Sequence, residues 1–258
     1  MNKIVQAFEN KKALICFVTG GDPDLETTKA LILAMQGAGA DIIEIGIPFS
    51  DPVAEGPVIQ AASERALRAG FTVDKLFTLL ADLQPELSIP LLLMTYINPI
   101  FAYGKERFLQ HCQDCGVAGI IVPDMPYEEA GELKAECAAY GVALISMIAP
   151  TSQERIRMIA KEAQGFLYCV SSLGVTGKRS AFATNIAEMI DAVRLVSDVP
   201  CAIGFGISTP EQARDMAAIA DGVIIGSAIV DLVARDGRDS AAAVGDFVRS
   251  VKFIMHNS

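Results

Sequence analysis

A chain of 258 residues, with 52% hydrophobic and 20% charged side chains, is long enough to bury a large core without disulfides or a metal. No segment is polar enough to stay unfolded. Its formal net charge of −10 argues against nucleic acid or an anionic membrane as partner, but not against a small anion, which local dipoles bind. Residues 1–12 lack the apolar core of a signal peptide, and the longest apolar run, around 89–97, is broken by Pro90 and Thr95. The expectation is a cytoplasmic protein whose six cysteines are reduced thiols.

In chain order, the first apolar run, 13–18, predicts a strand, followed by an amphipathic helix over 25–36 that Gly39 stops. The run 41–45 predicts the second strand, and 57–68 a helix ended by Gly70. A third strand at 90–95 leads to a helix over 105–115 that Gly116 ends. Strands at 119–122 and 142–147 bracket a helix over 128–139 with Gly141 at its end. Thr151 and Ser152 offer caps to a helix over 152–163, with Glu154 in its first turn. A strand at 166–170 and a helix over 185–196 follow. A strand at 200–204 precedes a helix over 210–218, where a capping hydroxyl stands before Pro210. The last strand is 222–225.

Several runs are unbroken Val/Ile/Leu stretches, the mark of strands buried on both faces in a parallel sheet. Strands alternating with helices, with no dividing linker, predict one α/β domain over 1–258. Such a chain closes as a (β/α)8 barrel or lies open as a doubly wound sheet. Eight strands, with glycine-bearing loops after the last ones, favour the barrel.

In a barrel the chemistry sits at the C-terminal ends of the strands. The second run opens on Asp41, and inside it Glu44 stands between Ile43 and Ile45. If those two face the helices, strand alternation turns Glu44 into the barrel mouth, where apolar surroundings raise its pKa towards that of a general acid/base. The alternative is a structural ion pair across the barrel. The loop that follows carries Asp51 and Glu55; either can partner Glu44, or Asp51 caps the turn and Glu55 is solvated.

Three glycine-bearing segments close the later strands: Gly174-Val175-Thr176-Gly177-Lys178, Gly204-Phe205-Gly206-Ile207-Ser208 and Ile225-Gly226-Ser227-Ala228. The first is not a P-loop, since Ser172 and Arg179 break the pattern. Backbone N–H groups freed by glycine at a helix start bind phosphate without lysine. His111 and His256 lie away from strand ends, so histidine-based schemes are not expected. Cys112 and Cys115, beside His111, have metal spacing, but they fall late in a helix and no second pair completes four ligands.

The stretch Ile43-Glu44-Ile45-Gly46-Ile47-Pro48-Phe49-Ser50-Asp51-Pro52, followed by Gly56-Pro57, closely resembles the signature of the tryptophan synthase α subunit family. The likeness continues in Phe17-Val18-Thr19-Gly20-Gly21-Asp22-Pro23, in Met94-Thr95-Tyr96-Ile97-Asn98-Pro99 and in Pro123-Asp124-Met125-Pro126. It extends through the three glycine-bearing segments, in family order over nearly the whole chain.

The resemblance implies a single (β/α)8 TIM barrel with an extra N-terminal helix. It implies aldol-type cleavage of indole-3-glycerol phosphate to indole and glyceraldehyde 3-phosphate, with no cofactor in this subunit. The implied partner is a pyridoxal-phosphate-dependent β subunit in an α2β2 complex, met by the loop 51–57 and the stretch 124–126. Glu44 and Glu55 fall on the family's catalytic positions. Gly177, Gly206, Gly226 and Ser227 match its phosphate site, Phe17, Tyr96, Tyr168 and Phe205 its indole pocket, and Thr176 its loop closure. Two departures stand out: Glu55 replaces the usual aspartate, and Ser172 follows Ser171 where arginine is common. A barrel isomerase of tryptophan or histidine biosynthesis needs a different acid/base set at the ends of strands 1 and 5. There this chain has Phe17-Val18-Thr19 and Met147-Ile148. A barrel that only binds and activates a β-type partner is the alternative from another class.

Overall fold

The computed structural model describes residues 3–170, 179–204 and 206–256, with the backbone alone over 179–184. Eight parallel strands close in sequence order into a barrel. They are β1 (Ala13–Thr19), β2 (Ile42–Gly46), β3 (Leu91–Met94), β4 (Val117–Ile121), β5 (Ala143–Ile148), β6 (Leu167–Val170), β7 (Cys201–Gly204) and β8 (Gly222–Ile225). All eight overlap the expected apolar runs, and the barrel closes where β1 pairs with β8.

Strand alternation divides the core in two. Ile43 and Ile45 on β2 point outward with Leu14, Cys16 and Leu93 into the layer beneath the helices. Ile15, Phe17, Ile42, Leu92, Ile121, Ile145 and Ile224 fill the barrel itself. Gly119 sits mid-strand where a β-carbon would lie 2.9 Å from the Ala143 carbonyl oxygen and 3.2 Å from Ile4. That glycine hid the start of β4, which begins at Val117 rather than at 119.

The helices obey their sequence signals. Ser152 caps Gln153–Glu162 by accepting from the Arg155 N–H. Thr209 and Gln212 form a reciprocal capping box ahead of Pro210–Ala217. Gly39, Gly70, Gly116 and Gly141 all stand at positive φ just past helices. The outer layer holds more than one helix per strand in places: Val73–Leu83 and Ile97–Tyr103 are additional to the simple alternation, and Ser227–Asp236 and Ser240–His256 both follow β8. The expected helix over 128–139 is a 3-10 turn, Tyr127–Glu129, followed by Ala130–Ala139. The one expected over 185–196 starts earlier, as Arg179–Arg194.

The extra N-terminal helix is short, Lys3–Gln6, and plugs the bottom of the barrel with the fully buried Ile4. Buried Asp41 clasps that end together: Lys11 donates to it at 2.6 Å, Lys252 of the last helix also reaches it, and the Leu14 N–H donates at 2.7 Å. Among the described residues no helix is long and apolar enough to cross a membrane. Cys112, Cys115 and Cys137 are buried together, and burial pushes the Cys137 thiol up to about 12. No group of three or more His, Cys, Asp or Glu among the described residues is placed to hold a metal.

Candidate active site

A cavity of about 140 Å³ opens at the C-terminal end of the strands. Glu44 enters it from β2, fully buried, since its register neighbours Phe17 on β1 and Leu92 on β3 also face inward. Neither carboxyl oxygen of Glu44 has a hydrogen-bond partner among the described residues. Among the described residues no cation stands against it, so none of them makes the structural ion pair. Burial, and then the neighbouring charge of Glu55, raise the Glu44 pKa to about 8.

Glu55 reaches the same cavity from the loop ahead of the helix Pro57–Arg68, and its Oε2 is likewise buried with no partner among the described residues. Burial raises its pKa to about 7. Asp51, the other candidate left open by the sequence, is exposed, accepting a hydrogen bond from the Ser50 hydroxyl at 2.6 Å. A pair of carboxyl groups in a small, largely apolar cavity holds a proton near neutral pH, which an acid/base catalyst requires.

The same cavity is lined by Gly206, Gly226 and Ser227. Gly226 stands at the N-cap of Ser227–Asp236, with no side chain capping that helix start and no acidic residue in its first turn. Its free N–H groups and the helix dipole favour an anion there. Phe17 and Tyr168 complete the walls, and glycine makes room for both rings. A β-carbon at Gly46 would lie 2.5 Å from the Phe17 ring, and one at Gly204 2.6 Å from that of Tyr168. Burial and the charge of Glu44 push the Tyr168 hydroxyl well up.

Tyr96 does not line this cavity. Its ring packs on Phe49, with centroids 5.3 Å apart, and its hydroxyl accepts from the Ala54 N–H at 2.9 Å, so it props the loop that carries Glu55. Thr176, Gly177 and Phe205, expected at the site, lie outside the described residues. Five lining residues went unnoticed as such in the sequence: Gly56, Ile59, Met94, Ile207 and Ile224. Met94 and Ile224 were legible, because they share inward parity with Leu92 and Gly222 on their strands. A wider crevice of about 780 Å³ opens at the opposite end, but its cations serve the fold: Lys11 holds Asp41 and Lys12 donates to the Ala220 carbonyl.

Barrel and cavity together define a (β/α)8 enzyme fold with two carboxyl groups in a cavity at its C-terminal face. Residues 5–256 match the family model described as tryptophan synthase alpha chain. The tryptophan synthase alpha chain of Lacticaseibacillus casei is 47% identical over 252 residues, covering 98% of this chain and 95% of that protein. That of Alkaliphilus metalliredigens is 48% identical over 244 residues, covering 94% and 92%. The crystal structure of tryptophan synthase subunit alpha from Legionella pneumophila superposes with a TM-score of 0.90 at 35% identity over the whole of both chains. A chain from a structure describing mutual activation of the tryptophan synthase α2β2 complex of Pyrococcus furiosus gives 0.86 at 34% identity, covering 93% of this chain and 98% of that one. The chain belongs to the tryptophan synthase alpha chain family.

Proposed function

We propose that Glu44 and Glu55 are the proton-handling pair with which this alpha chain cleaves indole-3-glycerol phosphate to indole and glyceraldehyde 3-phosphate. The supporting observation is a fully buried Glu44, with no hydrogen-bond partner among the described residues, sharing with Glu55 a cavity that an uncapped helix N-terminus also lines.

With the phosphate at Gly206, Gly226 and Ser227, the glycerol chain spans the cavity and presents indole to the carboxyl pair between Phe17 and Tyr168. Neutral Glu44 delivers its proton to indole C3, and the positive charge that results on the indole N–H is balanced by the Glu55 carboxylate. Glu44, now ionised, withdraws the proton of the C3′ hydroxyl. The C3–C3′ bond breaks, its electron pair restores the aromatic ring, and an aldehyde forms at C3′. One proton is given and one taken, so Glu44 ends as it began and no cofactor of this subunit takes part.

Indole passes to a β partner that carries pyridoxal phosphate, in an α2β2 complex and in the cytoplasm. The loop 51–57 and the stretch 124–126 meet that partner. Val53 in that loop is 83% exposed and so offers an apolar side chain to the contact. The residues outside the description, Thr176, Gly177 and Phe205, belong to the same site in this reading, and the barrel is one domain over 1–258.

The scheme needs Glu55 ionised and Glu44 neutral at the start. The kcat/KM for indole release should therefore rise as Glu55 loses its proton near about 7 and fall as Glu44 loses its own near about 8. The two limbs belong to the pair jointly. Assaying indole from indole-3-glycerol phosphate between about pH 5 and about pH 10, with and without β partner, checks this. A narrow bell, raised in height by the partner, agrees; a flat profile removes the pair from the chemistry, and no indole at all rejects the activity.

A further inference from the structure

We propose, on the strength of that reading, that Arg65 and Asp22 form a positioning brace that sets where Glu55 stands relative to Glu44. The two glutamates reach the cavity from different supports, one from strand β2 and one from the loop before the helix Pro57–Arg68. The turn after β1 touches both supports. Its Gly20 N–H donates at 2.8 Å to the Gly46 carbonyl, at the end of the strand that carries Glu44.

Two residues on, Asp22 is only 1% exposed, and Arg65 of the helix grips it with two parallel bonds, Nε to Oδ1 at 2.8 Å and Nη2 to Oδ2 at 2.7 Å. Phe71, just past the helix, packs over the same turn: a β-carbon on Gly21, whose φ is +81, would lie 2.7 Å from the ring. At the other end of the helix Gln60 Nε2 donates to the Glu55 carbonyl at 2.8 Å. A helix is a stiff rod of about 1.5 Å per residue, so the grip at Arg65 carries over about 12 Å to its start at Pro57, two residues from Glu55.

The chemistry of the pair suits a brace. A guanidinium fork fixes angle as well as distance, which an ammonium does not. A carboxylate this buried does not give up the cation that pairs with it without moving. Glu44 faces Glu55 from the loop and Tyr168 from β6, so a drift of Glu55 changes the charge that Glu44 feels.

The test compares Arg65→Gln and the milder Arg65→Lys in the full chain, reading kcat, KM, the pH profile and Tm. Arg155→Gln, which removes a surface pair with Glu128, is the control for simple loss of an ion pair. Arg65→Gln should lower kcat about 30-fold with KM within about 3-fold, and shift the alkaline limb to lower pH as Glu55 moves off Glu44. Arg65→Lys should fall between it and wild type. A wild-type pH profile with activity falling only as Tm falls, as in the control, would overturn the brace. A wild type that releases no indole would instead overturn the functional reading on which it rests.

Discussion

Glu44→Gln should lower indole formation by about 10³-fold, because the amide is nearly isosteric but has no proton to give and takes none back. The loss is not one of folding, and pH separates the two. In the folded chain Glu44 keeps its proton up to about 8, against an ordinary value of 4.5, so folding takes up a proton between those values. Wild-type stability must therefore fall as pH rises through that window, a cost on the order of several kcal/mol by its upper end. Glutamine carries no such dependence. Thermal unfolding of the two proteins from about pH 5 to about pH 8 should show the difference in Tm moving steadily in favour of the variant. An inactive variant with that trend identifies a lost proton donor. Activity within about tenfold of wild type would place the proton chemistry elsewhere.

Glu55→Ala should cost about 10²-fold in kcat, the loss expected when a preorganised charge opposite the developing indole cation is removed. It should also move the alkaline limb of the pH profile to lower values, since the Glu55 charge is one of the two influences holding the Glu44 pKa up. Glu55→Asp restores the residue usual in the family and keeps the carboxylate, so it should retain most of the activity. Wild-type turnover in Glu55→Ala would remove Glu55 from the mechanism. Steady-state kinetics of the three proteins at matched pH decides between these outcomes.

Much of this site can be read before any coordinates exist, for a physical reason. A strand buried on both faces reads as apolar, so a single carboxyl in it, between Ile43 and Ile45, must point to one side, and parity says which. The same parity puts Phe17 and Tyr168 inside. Parity does not extend to loops. Asp51 and Glu55 are equivalent in sequence until the turn at 51–56 is seen to expose one and bury the other, and only the family resemblance favoured Glu55. Ile59 and Ile207 line the cavity from a helix start and a loop, where no periodicity marks a lining residue. Tyr96, expected in the pocket, instead props the Glu55 loop, because its hydroxyl found the Ala54 N–H. Arg65 and Asp22 lie far apart in sequence, with charges that look like ordinary surface residues, and only the packed turn shows one of them buried. The additional helices Val73–Leu83 and Ile97–Tyr103 escape a count that allots one helix to each strand.

The central claim is that a buried carboxyl on β2 holds its proton at neutral pH. Carbon-13 NMR of glutamate side chains tests it directly, with the Glu44 signal identified by its disappearance in Glu44→Gln. The expected titration midpoint is about 8 in the folded wild type, falling when Glu55 is replaced by alanine. A Glu44 signal that titrates near 4.5, the ordinary value, would contradict it.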